Sequence, residues 1–169
     1  SRGARFRMPL HSPMACVIGE PTGSDGVAIS YRGRILFDIK GEDEGAHRSG
    51  SPGPITDSVM AASSIIDITR NMGKGWSVAI MEMEGHEAGK RSTTITMDLR
   101  TPLGADQEEL ELMISETAAA YGVRSEIIEY VPPYGVHKSD PVIRAFRNAI
   151  RDCGRTPRIL AKQGTCDFN

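Results

Sequence analysis

Cysteine is scarce in this chain. Cys16, Cys153 and Cys166 are the only 3 in 169 residues, and no C-x-x-C pair stands among them. An odd, scattered set offers neither a disulfide framework nor a cysteine zinc site, and a reducing cytoplasm is the compartment it suits. Long apolar runs are missing too: none approaches the roughly 18 residues that a bilayer-crossing helix needs. The first residues show no signal-peptide pattern. Nor does one sign of charge prevail. The net charge is -2 with both signs interspersed, which gives no basis for nucleic acid or an anionic membrane as a partner. What remains is a length sufficient for one good core, or one core plus pieces of another.

The strongest element signals lie between Gly26 and Val131. Gly26 to Ile39 alternates and is rich in β-formers, broken at Arg32-Gly33-Arg34, so it reads as two strands joined by a tight turn or as one long strand bent at Gly33. A helix follows, with Ser51 placed to cap it, Pro52 or Pro54 in its first turn, and Ile55, Val59, Ala62 and Ile66 at helical spacing up to Gly73. Trp76 to Met83 and Ser92 to Leu99 alternate as strands. Asp106 and Glu109 form a capping-box pattern before a helix whose apolar face is Leu110, Met113, Ile114, Thr117 and Tyr121. Gly122 closes that helix, and Val123 to Val131 is a further strand. The order β-α-β-β-α-β predicts an α+β, ferredoxin-like sandwich: an antiparallel sheet with two helices on one face.

The flanks have a different character. Ser1 to Arg7 is a basic arm without periodicity, and Ala15-Cys16-Val17-Ile18 reads as a short strand that ends at Gly19-Glu20-Pro21. After Pro132-Pro133, Asp140-Pro141 opens a helix through Cys153, and Arg158 to Ala161 reads as a strand running into Gly164-Thr165-Cys166-Asp167. The expected division is residues 1–22 as arm and end of a catalytic-domain segment, 23–131 as an inserted sandwich, and 132–169 as the incomplete return of the first domain. The chain opens without Met and stops just after a strand and turn, which reads as a piece of a longer protein.

Between the first strands and the first convincing helix lies Gly45-Ala46-His47-Arg48-Ser49-Gly50, a lone histidine among small residues. Small neighbours let a ligand or another surface approach its ring. Taken with Val17-Ile18-Gly19-Glu20-Pro21-Thr22 and Gly164-Thr165-Cys166-Asp167-Phe168-Asn169, this stretch resembles the two-zinc amidohydrolases that include aminoacylase, acetylornithine deacetylase and succinyl-diaminopimelate desuccinylase. The lysine-biosynthesis branch is the most similar. It comprises acetyl-lysine deacetylases and hydrolases that release lysine or ornithine from an acylated precursor, often one carried on a small acidic carrier protein. The resemblance covers nearly the whole chain from Met14.

That resemblance implies roles for particular residues. Glu20 matches a carboxylate ligand of the metal site, with zinc or cobalt as the cofactor of the intact protein. His47 matches a lid histidine that reaches into the partner subunit of a homodimer and stabilises the oxyanion of the tetrahedral intermediate. Arg100 resembles an arginine that pairs with the substrate carboxylate. Gly164 and Thr165 resemble a substrate-contacting turn, with Asp167 supporting it. The family's His-x-Asp motif, its Glu-Glu pair and its last histidine ligand are not in this sequence, and the usual lid asparagine is not found near Ser92 to Thr96. By itself, then, the chain is expected neither to hold zinc tightly nor to hydrolyse a substrate. The alternative from the residues alone is a free-standing ferredoxin-like module for small-molecule binding or regulation. His86 and His137 read as surface groups, and Glu42-Asp43-Glu44 as a solvated acidic turn.

Overall fold

The computed structural model describes residues 6–19, 21–45 and 52–165. Its main sheet starts at β2 (Gly33–Asp43), because here alternation is strict and long enough to bury one whole face. Ile35, Phe37 and Ile39 point one way and are fully buried. Opposite them, in antiparallel register, β4 (Arg91–Thr101) sets Leu99, Met97 and Ile95, also fully buried. β5 (Arg124–Val131) pairs with the other edge of β2, and β3 (Ser77–His86) with the free edge of β4. The strand order is β3-β4-β2-β5, antiparallel throughout. Two helices, α1 (Pro54–Asn71) and α2 (Gln107–Ala120), cover the apolar face. The ferredoxin-like sandwich expected from the alternation is the observed fold.

Both helices are seated by recognisable chemistry. Asp106 caps α2, its carboxylate accepting from the Glu109 N–H at 3.0 Å, and Leu110, Ile114 and Ala118 fill the core side. For α1 the expected cap, Ser51, lies outside the described residues. Gly53 occupies the N-cap position with φ 84° and makes no side-chain cap bond. The buried stripe of α1 is Ser58, Ala61, Ala62, Ile65 and Thr69, whereas Val59 is 40% exposed. It is turned by about one residue from the stripe that the bulky side chains suggest. Small residues face the sheet because they let the helix axis approach it closely. The Thr69 hydroxyl, although buried, donates to the Ile65 carbonyl at 2.7 Å and so is satisfied.

A second, smaller sheet has the order β6-β1-β7. β1 (Gly26–Tyr31) runs parallel to β7 (Arg158–Lys162) and antiparallel to the short β6 (Tyr134–Gly135). The break read at Gly33 is therefore a change of sheet and not a hairpin turn. A Cβ on Gly33 would lie 2.4 Å from Thr101 Oγ1 and 2.7 Å from Pro133, so only glycine fits where the chain enters the main sheet. It leaves that sheet at the same corner, since Arg34 pairs with Val131. α3 (Pro141–Asp152) packs on β1, its first turn capped by the Asp140 carboxylate on the Val142 N–H at 2.9 Å. Residues 15–18 are not a strand. No described strand lies beside them to complete a ladder, and Val17 is 63% exposed. They run as irregular chain, Ala15 and Cys16 along a cavity of about 340 Å³ shared with Tyr31 and Ile143.

Candidate functional site

The outer face of the main sheet, opposite the helices, carries charge. On β2 the outward positions are Arg34, Leu36, Asp38 and Lys40, and on β4 they are Thr94, Thr96, Asp98 and Arg100. These charges pair off locally. Thr96 donates to Asp38 at 2.7 Å, and Lys40 reaches both Asp38 (3.2 Å) and Glu126 (2.6 Å). At the other end of the sheet, Asp98 Oδ2 accepts Arg100 Nη2 at 2.8 Å and faces Arg34 Nε at 3.2 Å, while Arg34 Nη1 meets Glu129 at 3.2 Å.

From there Arg100 reaches out of the sandwich. Its Nη1 donates to the Thr165 hydroxyl at 3.4 Å, a long bond that links the end of β4 to the turn after β7. Two of the residues singled out in the sequence thus meet across a chain separation of 65. Gly164, beside them, is exposed, and among the described residues a Cβ there would meet nothing within 4 Å. Glu20, His47 and Asp167 lie outside the described residues.

The frame of the histidine loop is nonetheless visible on both sides. Asp43, the last residue of β2, accepts the Gly45 N–H at 2.9 Å. Arg91 Nε donates to the same carboxylate at 2.8 Å, and Arg91 Nη2 meets its second oxygen. Arg91 is directly opposite Asp43 in the β2–β4 register, and only 2% of it is exposed. At the far end of the loop, a Cβ on Gly53 would come within 2.6 Å of Arg91 Nη1. One buried guanidinium therefore underlies both ends of the 44–53 stretch. Asp43 is in consequence no part of a solvated acidic turn, and Glu42 pairs with Lys90 at 3.2 Å.

This pair carries a pH signature. Hydrogen bonds from Arg91 hold the Asp43 carboxyl below its ordinary value, against a smaller opposing effect of burial. The folded state thus keeps that charge to lower pH than the unfolded chain does. Its contribution is present above the unfolded value of about 3.9 and is lost as pH falls through the folded one. Asp43→Asn is expected to lower the melting temperature at pH 7, and the gap from wild type should close below about pH 4. A gap that stays constant down to pH 3 would show that the charge of Asp43 contributes nothing.

His86 and His137 are exposed, the latter with Nδ1 2.6 Å from the Ser139 hydroxyl. Among the described residues no group of three or more His, Cys, Asp or Glu side chains stands together as a metal site. No helix among the described residues is long and apolar enough to cross a membrane.

No family model matches the chain. Individual proteins do. A protein of Thermococcus kodakarensis named "Putative [LysW]-lysine/[LysW]-ornithine hydrolase" is 32% identical over all of this chain and 45% of its own length. A "[LysW]-lysine hydrolase" of Deinococcus radiodurans is 25% identical, again over all of this chain and 50% of itself. The chain spans about half the length of these curated relatives. Among solved structures, AtUAH in complex with (S)-hydroxyglycine superposes with a TM-score of 0.68 at 12% identity, covering 84% of this chain and 37% of that one. Aminopeptidase PepT from Bacillus cereus gives 0.63 at 18% identity, covering 86% and 42%. Likeness at that level of identity shows the fold. Along its whole length the chain is thus similar to about half of proteins named as [LysW]-lysine or [LysW]-ornithine hydrolases, and its fold is that of the solved hydrolase structures.

Proposed function

We propose that the protein to which this chain belongs is a metal-dependent amide hydrolase. In that reading it releases lysine or ornithine from an N-acylated precursor, one borne on a carrier protein as the relatives' names suggest. The sandwich is its lid and dimerisation unit. The observation that carries the reading is the meeting of Arg100 with Thr165, which puts an arginine beside a hydroxyl where the sheet abuts the return segment. Such a pair suits an amino-acid carboxylate, because a guanidinium can donate along one edge while anchored along another. His47 would supply a pre-aimed donor to the developing oxyanion of the partner subunit. Zinc or cobalt, when bound, would polarise the scissile carbonyl and lower the pKa of an attacking water. In this chain only Glu20 is implied as a ligand.

Support for the dimer comes from β3. It is an edge strand, exposed along nearly its whole length, with Ile80 42%, Met81 60% and Met83 49% exposed. An unpaired strand edge is a ready surface for a second copy. The test is hydrolysis of Nα-acetyl-L-lysine and Nα-acetyl-L-ornithine by the whole protein, with and without added zinc. Metal-dependent turnover of either supports the reading. Absence of turnover on these and on the carrier-linked form would refute it.

A further inference from the structure

Arg34 and Arg100 stand directly opposite each other on the outer face of the sheet. Like charges in that relation repel, and they splay apart unless something lies between them. Asp98 lies between them. It is 6% exposed, and a single oxygen, Oδ2, faces both guanidinium groups. Its second oxygen, Oδ1, is buried and has no hydrogen-bond partner among the described residues, so the two arginines are what offsets the charge on this carboxylate. A buried carboxylate without such partners would be strongly disfavoured, and this ties the aspartate to the arginines as one unit.

The geometry also sets a direction. Arg100 Nη2 is turned inward to Asp98 at 2.8 Å, and Nη1 is turned outward to Thr165 at 3.4 Å. A guanidinium is planar, so fixing one corner fixes the whole fork. Arg34 has a second anchor in Glu129 at 3.2 Å. Among the described residues the contacts of Arg100 are Asp98 on one side and Thr165, next to the exposed Gly164, on the other.

We infer that Asp98 is a positioning residue for Arg100: its buried carboxylate holds one edge of the guanidinium so that the other edge, beside the Thr165 hydroxyl, faces the carboxylate of an amino-acid substrate. This rests on the reading of Arg100 given under Proposed function. Asp98 touches no substrate. It sets how strongly the site distinguishes a free carboxylate from a neutral group at the same position.

Two probes separate that role from a structural one: Nα-acetyl-L-lysine, and Nα-acetyl-L-lysinamide, in which the carboxylate is replaced by a neutral amide. Wild-type whole protein should favour the acid. In Asp98→Asn the preference should fall about ten- to a hundredfold, the range expected for a misaligned charge-assisted bond. The loss should appear in KM for the acid with kcat nearly kept, while the amide is unaffected. Adding Arg100→Ala to Asp98→Asn should cause little further loss, since the two act as one unit. If Asp98→Asn slows both probes equally, or leaves the preference unchanged, the inference is overturned. Arg34→Gln leaves Asp98 to Arg100 alone and should retain the preference. Its loss there would contradict the assignment even if Asp98→Asn folds poorly. If Arg100→Ala alone leaves the preference intact, the reading of Arg100 fails first. No turnover by wild type on these probes and on the carrier-linked form removes the proposed function, and this inference with it.

Discussion

His47→Ala in the whole protein is expected to lower kcat by about 10²–10³-fold, the loss typical of removing one oxyanion donor. KM should change little, because a donor aimed at the tetrahedral oxyanion acts in the transition state and not on the bound substrate. Melting temperature and oligomeric state should stay as in wild type. The expectation of an intact fold follows from the described residues on either side: Asp43 is bonded to the buried Arg91 and Gly53 lies against it, so both flanks rest on one guanidinium. Two contrary results are informative in different ways. Unchanged turnover would discard His47 and leave the hydrolase. Turnover lost together with the dimer would make His47 an interface residue, with no separate role in chemistry. Gly53→Ala offers a comparison within the same loop. The added Cβ would crowd Arg91 at a backbone angle of φ 84°, so stability should fall along with activity.

Much of the sandwich was legible, for a simple reason. Ile35, Phe37 and Ile39 alternate without error, and so do Ile95, Met97 and Leu99, and a period of two over so many positions leaves one face to be buried. End signals were equally direct. Asp106 and Asp140 cap their helices, and Gly73, Gly122 and Gly154 have φ of 96°, 70° and 73° just past the helix ends. What the pattern could not disclose was who pairs with whom. Period two assigns faces and not neighbours, so β1 gave no sign that its partner is β7, across more than a hundred residues. Residues 15–18 have the composition of a strand, but composition does not supply a ladder.

The site divides in the same way. Arg100, Gly164 and Thr165 came from the resemblance to known hydrolases, and the fold brings Arg100 and Thr165 within hydrogen-bond reach. Asp98, Arg34 and Arg91 were not singled out. Each is an ordinary charge in the sequence, and only register makes Arg91 the partner of Asp43 or sets Asp98 between two arginines. The outward period of charge along β2, Arg34 to Lys40, was the one available hint that this face holds a network rather than solvent.

Phe37→Ala should be the most damaging single change to stability, costing about 3–5 kcal/mol. Phe37 is fully buried in the middle of β2, with Met97 of β4 and Ile127 of β5 as its cross-strand neighbours, and it belongs to the cluster that holds Ile65 of α1 and Ile114 of α2. Truncation would leave a cavity bounded by both layers. Strand backbones tied by ladders on both sides of β2 cannot move in to fill it, so the loss should sit at the upper part of the range. Against a total stability of about 5–15 kcal/mol for such a domain, that is a fifth or more of what holds it together. With a urea slope of about 2 kcal/mol per molar, the midpoint should move down by about 1.5–2.5 M. Phe146→Ala is the matched control. That ring is on α3, outside the main cluster, and 40% exposed, so its loss removes less buried surface and leaves a space that water can enter. Its cost should be well under half that of Phe37. Equal costs at the two positions would mean that the sandwich is not the cooperative core of the chain. A cost below about 1 kcal/mol at Phe37 would contradict the packing of the sheet against its helices.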